Sequence, residues 1–344
     1  MQMNAWKKIE QKQFSPLYLL YGTESYIINE TKQKLVANVL TEDDTDFNLS
    51  VYDLEETPVE LAIEDAETFP FTGGTKLVIL NNPLFLTGDK TKDKTEHNVK
   101  KLEQYIEDPS PYTILVLSGP YEKLDERKKL TKLLKSKAQV IEAKKLSEGE
   151  LKIWVREQAA LSGVQIDERA IDELLGIAGT DLARLAQELE KLSLYAAETN
   201  RIDVASVHLL TSRSLEQNVF GLVEKVVARN IDDALRIYYD LLKQNEEPIK
   251  ILSVLAGQFR LIYQVKESLR RGYGQQQIAG MLKVHPFRVK LAAGQAPSFT
   301  EQELCEIIRL LAEGDMQMKG GGLAKEVVIE LFLFRLNSLA SRAK

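Results

Sequence analysis

Gly22 ends the apolar run LYLLY, and the small polar residues after it lead into a helical pattern, LYLLYGTESYIIN over residues 17–29. A strand that turns at glycine into a helix is how a phosphate-binding loop begins, because such a turn aims backbone N–H groups at an anion. A working loop reads G-x-x-x-x-G-K-[ST], in which the lysine reaches the β and γ phosphates and the hydroxyl ligates magnesium. Counted from Gly22, those last three positions hold Ile27, Ile28 and Asn29, so none of the chemical requirements is met. The acidic partner fails too. The run KLVIL leads into Asn81 and Asn82, neutral amides that replace a magnesium-binding carboxylate poorly. Asp89 and Asp93 follow too late, inside the polar stretch TGDKTKDKTEHN, which reads as a surface loop. The spacing does not separate a degenerate nucleotide-binding domain from an unrelated α/β fold that never bound a nucleotide.

Other chemistries are excluded more directly. The chain has one cysteine, Cys305, so no internal disulfide forms, and His97, His208 and His285 are too scattered for a structural zinc site. Cys305 lies on a helical pattern with no histidine near it, which reads as a small core residue rather than a nucleophile. A net charge of −6 argues against one broad nucleic-acid-coating surface, while leaving room for a local basic face. The segment MQMNAWKKIEQKQF lacks a signal-peptide core, and no apolar run approaches the roughly 18 residues of a membrane helix. A cytoplasmic protein without membrane contact is expected.

The elements that must position these residues fall into two regimes. Over residues 1–143, five apolar runs predict strands: PLYLLY (16–21), NLSVYDL (48–54), KLVIL (76–80), YTILVLS (112–118) and QVIEA (139–143). Between them, helices are predicted over 24–40, over 58–67 with Thr57 as N-cap, over 99–107 and over 124–136. In the last of these, Leu130, Leu133 and Leu134 form an apolar stripe on a lysine-rich surface helix. This alternation predicts an α/β domain, a parallel sheet covered by helices on both faces. After residue 143 the strand signals stop and the pattern is all-α. Ser147 and Glu150 stand in capping-box spacing before a helix that ends at Gly163, and helices near 167–177 and 180–196 follow. A polar junction at 196–203 precedes a longer helical region. There, Leu252, Leu255, Phe259, Ile262 and Leu269 mark one apolar face of a helix over 248–270. No repeat of 20 to 50 residues is present, which disfavours a solenoid.

Four stretches carry a family resemblance: LYLLYGTESYIINE, ETFPFTGGTKLVIL, TDLARLAQELEKL, and the series GQFRLIYQVKE, QIAGMLKVHPFRVK and GDMQMKGG. In that order, and across nearly the whole chain, they resemble the signatures of the bacterial DNA polymerase III delta subunit, in its Gram-positive branch. The most specific part is the last, with Phe259 and Arg260, KVHPFRVK from 283 to 290, and Asp315 with Lys319. The resemblance implies a degenerate AAA+ (P-loop-like) domain over 1–143, a small helical lid domain over 144–200 and a helical collar domain over 201–344. It implies a clamp-loader subunit that binds the sliding clamp, the beta subunit, and opens its ring for loading onto primed DNA in replication. Delta-prime and the ATP-binding tau/gamma subunits would join it through the collar. It further implies no cofactor, no metal and no catalysis of its own, as a non-catalytic subunit of a DNA-directed DNA polymerase, a nucleotidyltransferase. Arg184 occupies the place of the sensor arginine of active relatives, and without phosphates it is expected to pack or to pair with a nearby acid. The alternatives are an active nucleotide-dependent enzyme with an atypical loop and a helical scaffold without clamp affinity.

Within AETFPFTGGTKLVIL, Phe69 and Phe71 flank Pro70, which stiffens the turn, while Gly73 and Gly74 allow a tight return into the sheet. By themselves the two rings fit either a probe for a partner or a local cap on the domain core. The resemblance implies the first: this loop supplies the apolar wedge that enters the clamp. Gram-positive relatives often read Pro-Phe-Phe where this chain has Pro70, Phe71 and Thr72, with Phe69 as an extra aromatic. Phe71 is therefore favoured as the leading residue, supported by Phe69 and Pro70.

From Gly257 to Gln295 the chain carries Arg260, Lys266, Arg270, Arg271, Lys283, Arg288 and Lys290 against the single acid Glu267. Such a face suits phosphate contacts with DNA, or pairing with acidic neighbours in a ring of subunits.

Overall fold

The computed structural model describes residues 2–71, 74–88, 95–228, 230–321 and 323–339. Thr72, Gly73, Asp89 and Asp93 lie outside them. The chain divides into two compact units, residues 1–145 and 146–344. Among the described residues no helix is long and apolar enough to cross a membrane.

The first unit is built on five parallel strands, β1 (Leu17–Gly22), β2 (Leu49–Asp53), β3 (Lys76–Asn81), β4 (Thr113–Gly119) and β5 (Gln139–Ala143), in the order β2-β3-β4-β1-β5. Its helices are α1 (Gln2–Glu10), α2 (Ser25–Val39), α3 (Glu42–Asn48), α4 (Val59–Ala66), α5 (Val99–Glu107) and α6 (Lys129–Lys137). The strands are apolar at consecutive positions because both sheet faces are covered. On one face Leu17, Leu19, Val78, Leu80, Leu115 and Leu117 pack against α4, α5 and α6. The intervening residues Tyr18, Leu20, Leu77 and Ile79 are equally buried and face the other way, toward the side of α1 and α2. Trp6 of α1 anchors that layer, donating its indole N–H to Thr31 Oγ1 of α2 at 2.7 Å.

Three local expectations are corrected in this unit. Thr57 does not cap α4; Pro58 is its N-cap residue, with no side-chain cap bond. The helix expected over 124–136 begins only at Lys129, because Asp125 instead turns the chain by accepting from the Arg127 backbone and guanidinium. Two helices, α1 and α3, stand where none was expected. Thr41 starts α3 by accepting from the Asp44 amide.

The second unit opens with α7 (Glu148–Leu161), capped by the Ser147/Glu150 box, followed by α8 (Glu168–Ala178), α9 (Leu182–Tyr195) and α10 (Val204–Leu210). Strand structure does not stop at 143: β6 (Gln165–Ile166) and β7 (Arg201–Ile202) form a short parallel pair that ties the α7–α8 turn to the segment after α9. The remaining helices are α11 (Leu215–Val227), α12 (Ile231–Lys243), α13 (Pro248–Arg270), α14 (Gln275–Leu282), α15 (Pro286–Gln295), α16 (Glu301–Gly320) and α17 (Lys325–Leu339). They enclose one core, in which α13 contributes Leu252, Leu255, Phe259 and Ile262. Leu269 does not join them; it is 39% exposed near the end of the helix, beyond its packed length. Cys305 is exposed rather than a core residue, since it faces away from the buried stripe of Leu304, Ile307 and Leu311. Among the described residues Arg184 makes no ion pair with an acid: its guanidinium donates to the Ser212 carbonyl at 2.8 Å, fixing the chain after α10.

Gly22 is the residue on which the first unit's central turn depends. Its φ is +142°, and a Cβ there would lie 2.0 Å from the Ala143 carbonyl oxygen, which also accepts from the Glu24 amide at 3.0 Å. No side chain fits without parting β1 from β5. Gly22→Ala is expected to destabilise the first unit by about 2–4 kcal/mol in chemical denaturation, and parental stability in that variant would contradict this reading.

Candidate functional site

The loop between α4 and β3 carries the most exposed phenylalanines of the first unit, Phe69 at 79% and Phe71 at 77%. Its entrance is firmly built. A helix ends with carbonyls that have no partner within the helix, and here three of them find side-chain donors from the first residues of β3 and β4 and from Tyr112 just before β4. Lys76 Nζ donates to the Asp65 carbonyl at 2.9 Å, Thr113 Oγ1 to the Ala66 carbonyl at 2.8 Å and Tyr112 Oη to the Glu67 carbonyl at 2.8 Å. The cation at this end also suits the negative pole of the helix.

Each ring leans on an aromatic neighbour. Phe71 stacks on Phe47 at 5.1 Å between centroids with 20° between planes, and Phe69 lies 4.6 Å from Tyr112. The Phe71 amide donates to Oδ1 of the buried Asn48 at 2.8 Å. Phe47 is itself 58% exposed, so three phenylalanines and the half-buried Pro70 present an apolar surface to solvent. Phe47, Asn48 and Tyr112 did not stand out in the sequence. Their relation to the loop is tertiary, through the end of α3 and the start of β4, and carries no local periodic signal.

The edge of the sheet that holds nucleotides in doubly wound folds is occupied differently. Ile27 and Ile28 are buried. Lys32, further along α2, donates to Asn81 Oδ1 at 2.7 Å, and Ser118 Oγ donates to the same oxygen at 3.1 Å. Burial pushes the Lys32 ammonium below the usual lysine range. Asn82 adopts a left-handed φ of 57° and donates to both Asp53 carboxylate oxygens at 3.1 Å. The polar atoms at the ends of β2, β3 and β4 are thus used on one another. Among the described residues, no group of three or more histidine, cysteine, aspartate or glutamate side chains is placed to hold a metal ion.

Comparison with known proteins then decides the family. Residues 18–144 match the family DNA polymerase III, delta subunit, and residues 216–336 match the DNA polymerase III delta subunit, C-terminal domain. A family described as a middle domain matches residues 147–207 between them. The chain is 49% identical over 336 residues to DNA polymerase III subunit delta of Bacillus subtilis, covering 98% of this chain and 97% of that protein. This chain belongs to the DNA polymerase III delta subunit family. It is also 25% identical over 266 residues to a probable DNA polymerase III subunit delta of Aquifex aeolicus, covering 74% of this chain and 72% of that one. A solved structure titled as a Bacillus subtilis DNA clamp loader delta protein superposes with a TM-score of 0.85 at 48% identity, covering 98% of this chain and 100% of that chain.

In this delta-family chain the basic residues of 257–295 are not equivalent. Arg270 pairs with Glu267 at 2.7 Å and lies 3.6 Å from Glu301; Lys290 reaches Glu148 at 3.4 Å, and Lys266 donates to the Ala296 carbonyl. Arg260 lines a groove of about 380 Å³ between α13 and α16 with Leu252, Leu311, Asp315 and Lys319, the last two forming an ion pair at 2.6 Å. Arg271, Lys283 and Arg288 make no ion pair among the described residues. His285, in the KVHPFRVK stretch, caps α15 by accepting from the Phe287 amide at Nδ1, which leaves Nε2 to donate to the Leu146 carbonyl at 2.5 Å.

The base of the aromatic loop has its own acid sensitivity. Burial works against the Asp65 carboxylate, but Lys76 and the nearby Ser50 and Tyr52 hydroxyls outweigh it and hold this carboxyl below the usual range. A depressed folded-state value contributes stability above the unfolded value, about 4, that is lost as pH falls through the lower folded value. Asp65→Asn is therefore expected to be less stable than the parent in denaturant titrations from about pH 5 to 8, with the gap closing below about pH 4. A gap that widens on acidification would contradict the sign.

Proposed function

We propose that this chain is the ring-opening subunit of a replicative clamp loader and that Phe69, Pro70 and Phe71 are the residues that enter the sliding clamp. The observation that carries this reading is two phenylalanine rings, about four-fifths exposed, on a loop whose entrance carbonyls at Asp65, Ala66 and Glu67 are met by side-chain donors. Monomeric proteins bury such rings or use them, and a rimmed apolar projection suits a hydrophobic pocket on a protein partner.

Burial of each ring is worth roughly 1.5–3 kcal/mol, enough for two rings to anchor a complex. Opening the clamp then needs no covalent chemistry. The wedge must bind the distorted ring interface more tightly than the closed one, and the ring equilibrium shifts by that difference. In this account ATP is handled by the tau/gamma subunits, and the chain itself catalyses no reaction within the DNA polymerase III holoenzyme. This division of labour is supported by Ile27, Ile28 and Asn29 at the phosphate-loop positions and by Lys32, Asn81 and Ser118 bonded to one another.

The division into an α/β domain (1–143), a lid (144–200) and a collar (201–344) fits the three family matches, and the collar is the segment assigned to delta-prime and tau/gamma. Arg260, Arg270, Arg271, Lys283, Arg288 and Lys290 are assigned to contacts with primed DNA or with acidic faces of those subunits. Arg271, Lys283 and Arg288 are the better DNA candidates, since Arg270 and Lys290 already face carboxylates. A cytoplasmic location follows from this role in replication.

The double substitution Phe69→Ala with Phe71→Ala is expected to abolish binding to immobilised sliding clamp in surface plasmon resonance while leaving the circular-dichroism spectrum and melting profile of the parent. Retained binding in that variant would remove the wedge assignment.

A further inference from the structure

We propose that Lys76 is a positioning residue for the Phe69–Phe71 tip, an ammonium clasp that joins the two stems of the loop so that the rings meet the partner in one conformation. This inference rests on the clamp-binding reading above. Lys76 is the first residue of β3, an unusual place for a lysine because its side chain points into the packed base of the loop and the residue is only 5% exposed. An ammonium has three protons to donate, and all three are used: on the Asp65 carbonyl at 2.9 Å, on Asp65 Oδ1 at 2.5 Å and on Thr68 Oγ1 at 2.8 Å. Asp65 lies in the last turn of α4, Thr68 at the loop entrance and Lys76 at its exit. A single cation therefore joins the entrance and the exit of the loop that carries Phe69, Pro70 and Phe71, while its own backbone amide is fixed on the Tyr112 carbonyl at 2.8 Å.

Global stability does not require a cation here. Replacing a buried ion pair by apolar or neutral groups of similar volume is often neutral or stabilising for the fold as a whole. What an apolar side chain would not do is reach across the loop to Thr68 and Asp65 together. Without the clasp the tip samples more conformations, and apparent affinity falls by the fraction of molecules in the competent one. That loss appears in association. Removal of a contacting ring appears in dissociation, where most interface substitutions act.

The test compares the parent, Phe71→Ala, Phe69→Ala with Phe71→Ala, and Lys76→Met with Asp65→Asn, each titrated against immobilised sliding clamp by surface plasmon resonance. The last variant removes the clasp without leaving a lone buried charge. Its melting profile is expected to stay close to the parent's, its association to slow at least about tenfold with dissociation within about twofold, and Phe71→Ala to show the reverse. Hydrogen exchange is expected to speed up at the amides of 67–69 and 71 and not at those of β1 and β4. Should the double variant fail to fold, Thr68→Val removes one acceptor at the exposed entrance, and a smaller slowing of association alone is expected from it. Parental association in whichever of these variants folds would overturn the positioning role while the double-phenylalanine variant still tests the wedge. Parental binding by the double-phenylalanine variant would overturn both.

Discussion

Holding apolar rings in water is the constraint around which the first unit is organised. An exposed phenylalanine gains by collapsing onto the nearest apolar surface, so a projecting pair persists only where the backbone beneath it has no freedom to fold back. Here that backbone is fixed at the end of α4, where the carbonyls of Asp65, Ala66 and Glu67 are met by Lys76, Thr113 and Tyr112. Each donor comes from the start of β3 or from the β4 edge, so the position of the tip is inherited from the register of the sheet. Phe47 and Tyr112 then give the rings something to lean on without hiding them.

The same sheet sets the turn at the phosphate-loop position by backbone geometry alone. The turn after β1 is set by Gly22 against Ala143 whether or not a phosphate is bound. The first turns of α2 put Ile27 and Ile28 into the core, and Lys32 and Ser118 both donate to Asn81 Oδ1. The aromatic loop lies at the opposite end of β3, where Lys76 begins the strand that Asn81 ends.

Much of this could be read from residue patterns, for identifiable reasons. The five strands were readable because both-face burial writes them as continuous apolar runs, and Ser147 with Glu150 formed the capping box that their spacing promised. The aromatic tip was visible as Phe-Pro-Phe before a glycine pair, although the residues alone did not say whether it faced core or solvent. The misses are tertiary. The α1 helix is short and is held mainly through Trp6, and α3 reads as an acidic run whose single aromatic, Phe47, acquires meaning only beside Phe71. The β6–β7 pair is too short to show alternation. Leu269 and Cys305 had the right residue type for a core and the wrong azimuth or position on their helices. The role of Lys76 was hidden because a lysine at the head of a strand looks like any solvated charge until its three acceptors are seen.

The central claim is that binding energy at an apolar tip, and not nucleotide hydrolysis by this chain, opens the ring. The direct measurement is the release of sliding clamp from circular DNA by the purified chain alone, in the absence of ATP. The account predicts that clamp leaves the DNA faster as the chain is added and that Mg-ATP makes no difference. Release that requires ATP, or clamp that stays on the DNA and unbound by the chain, would contradict it.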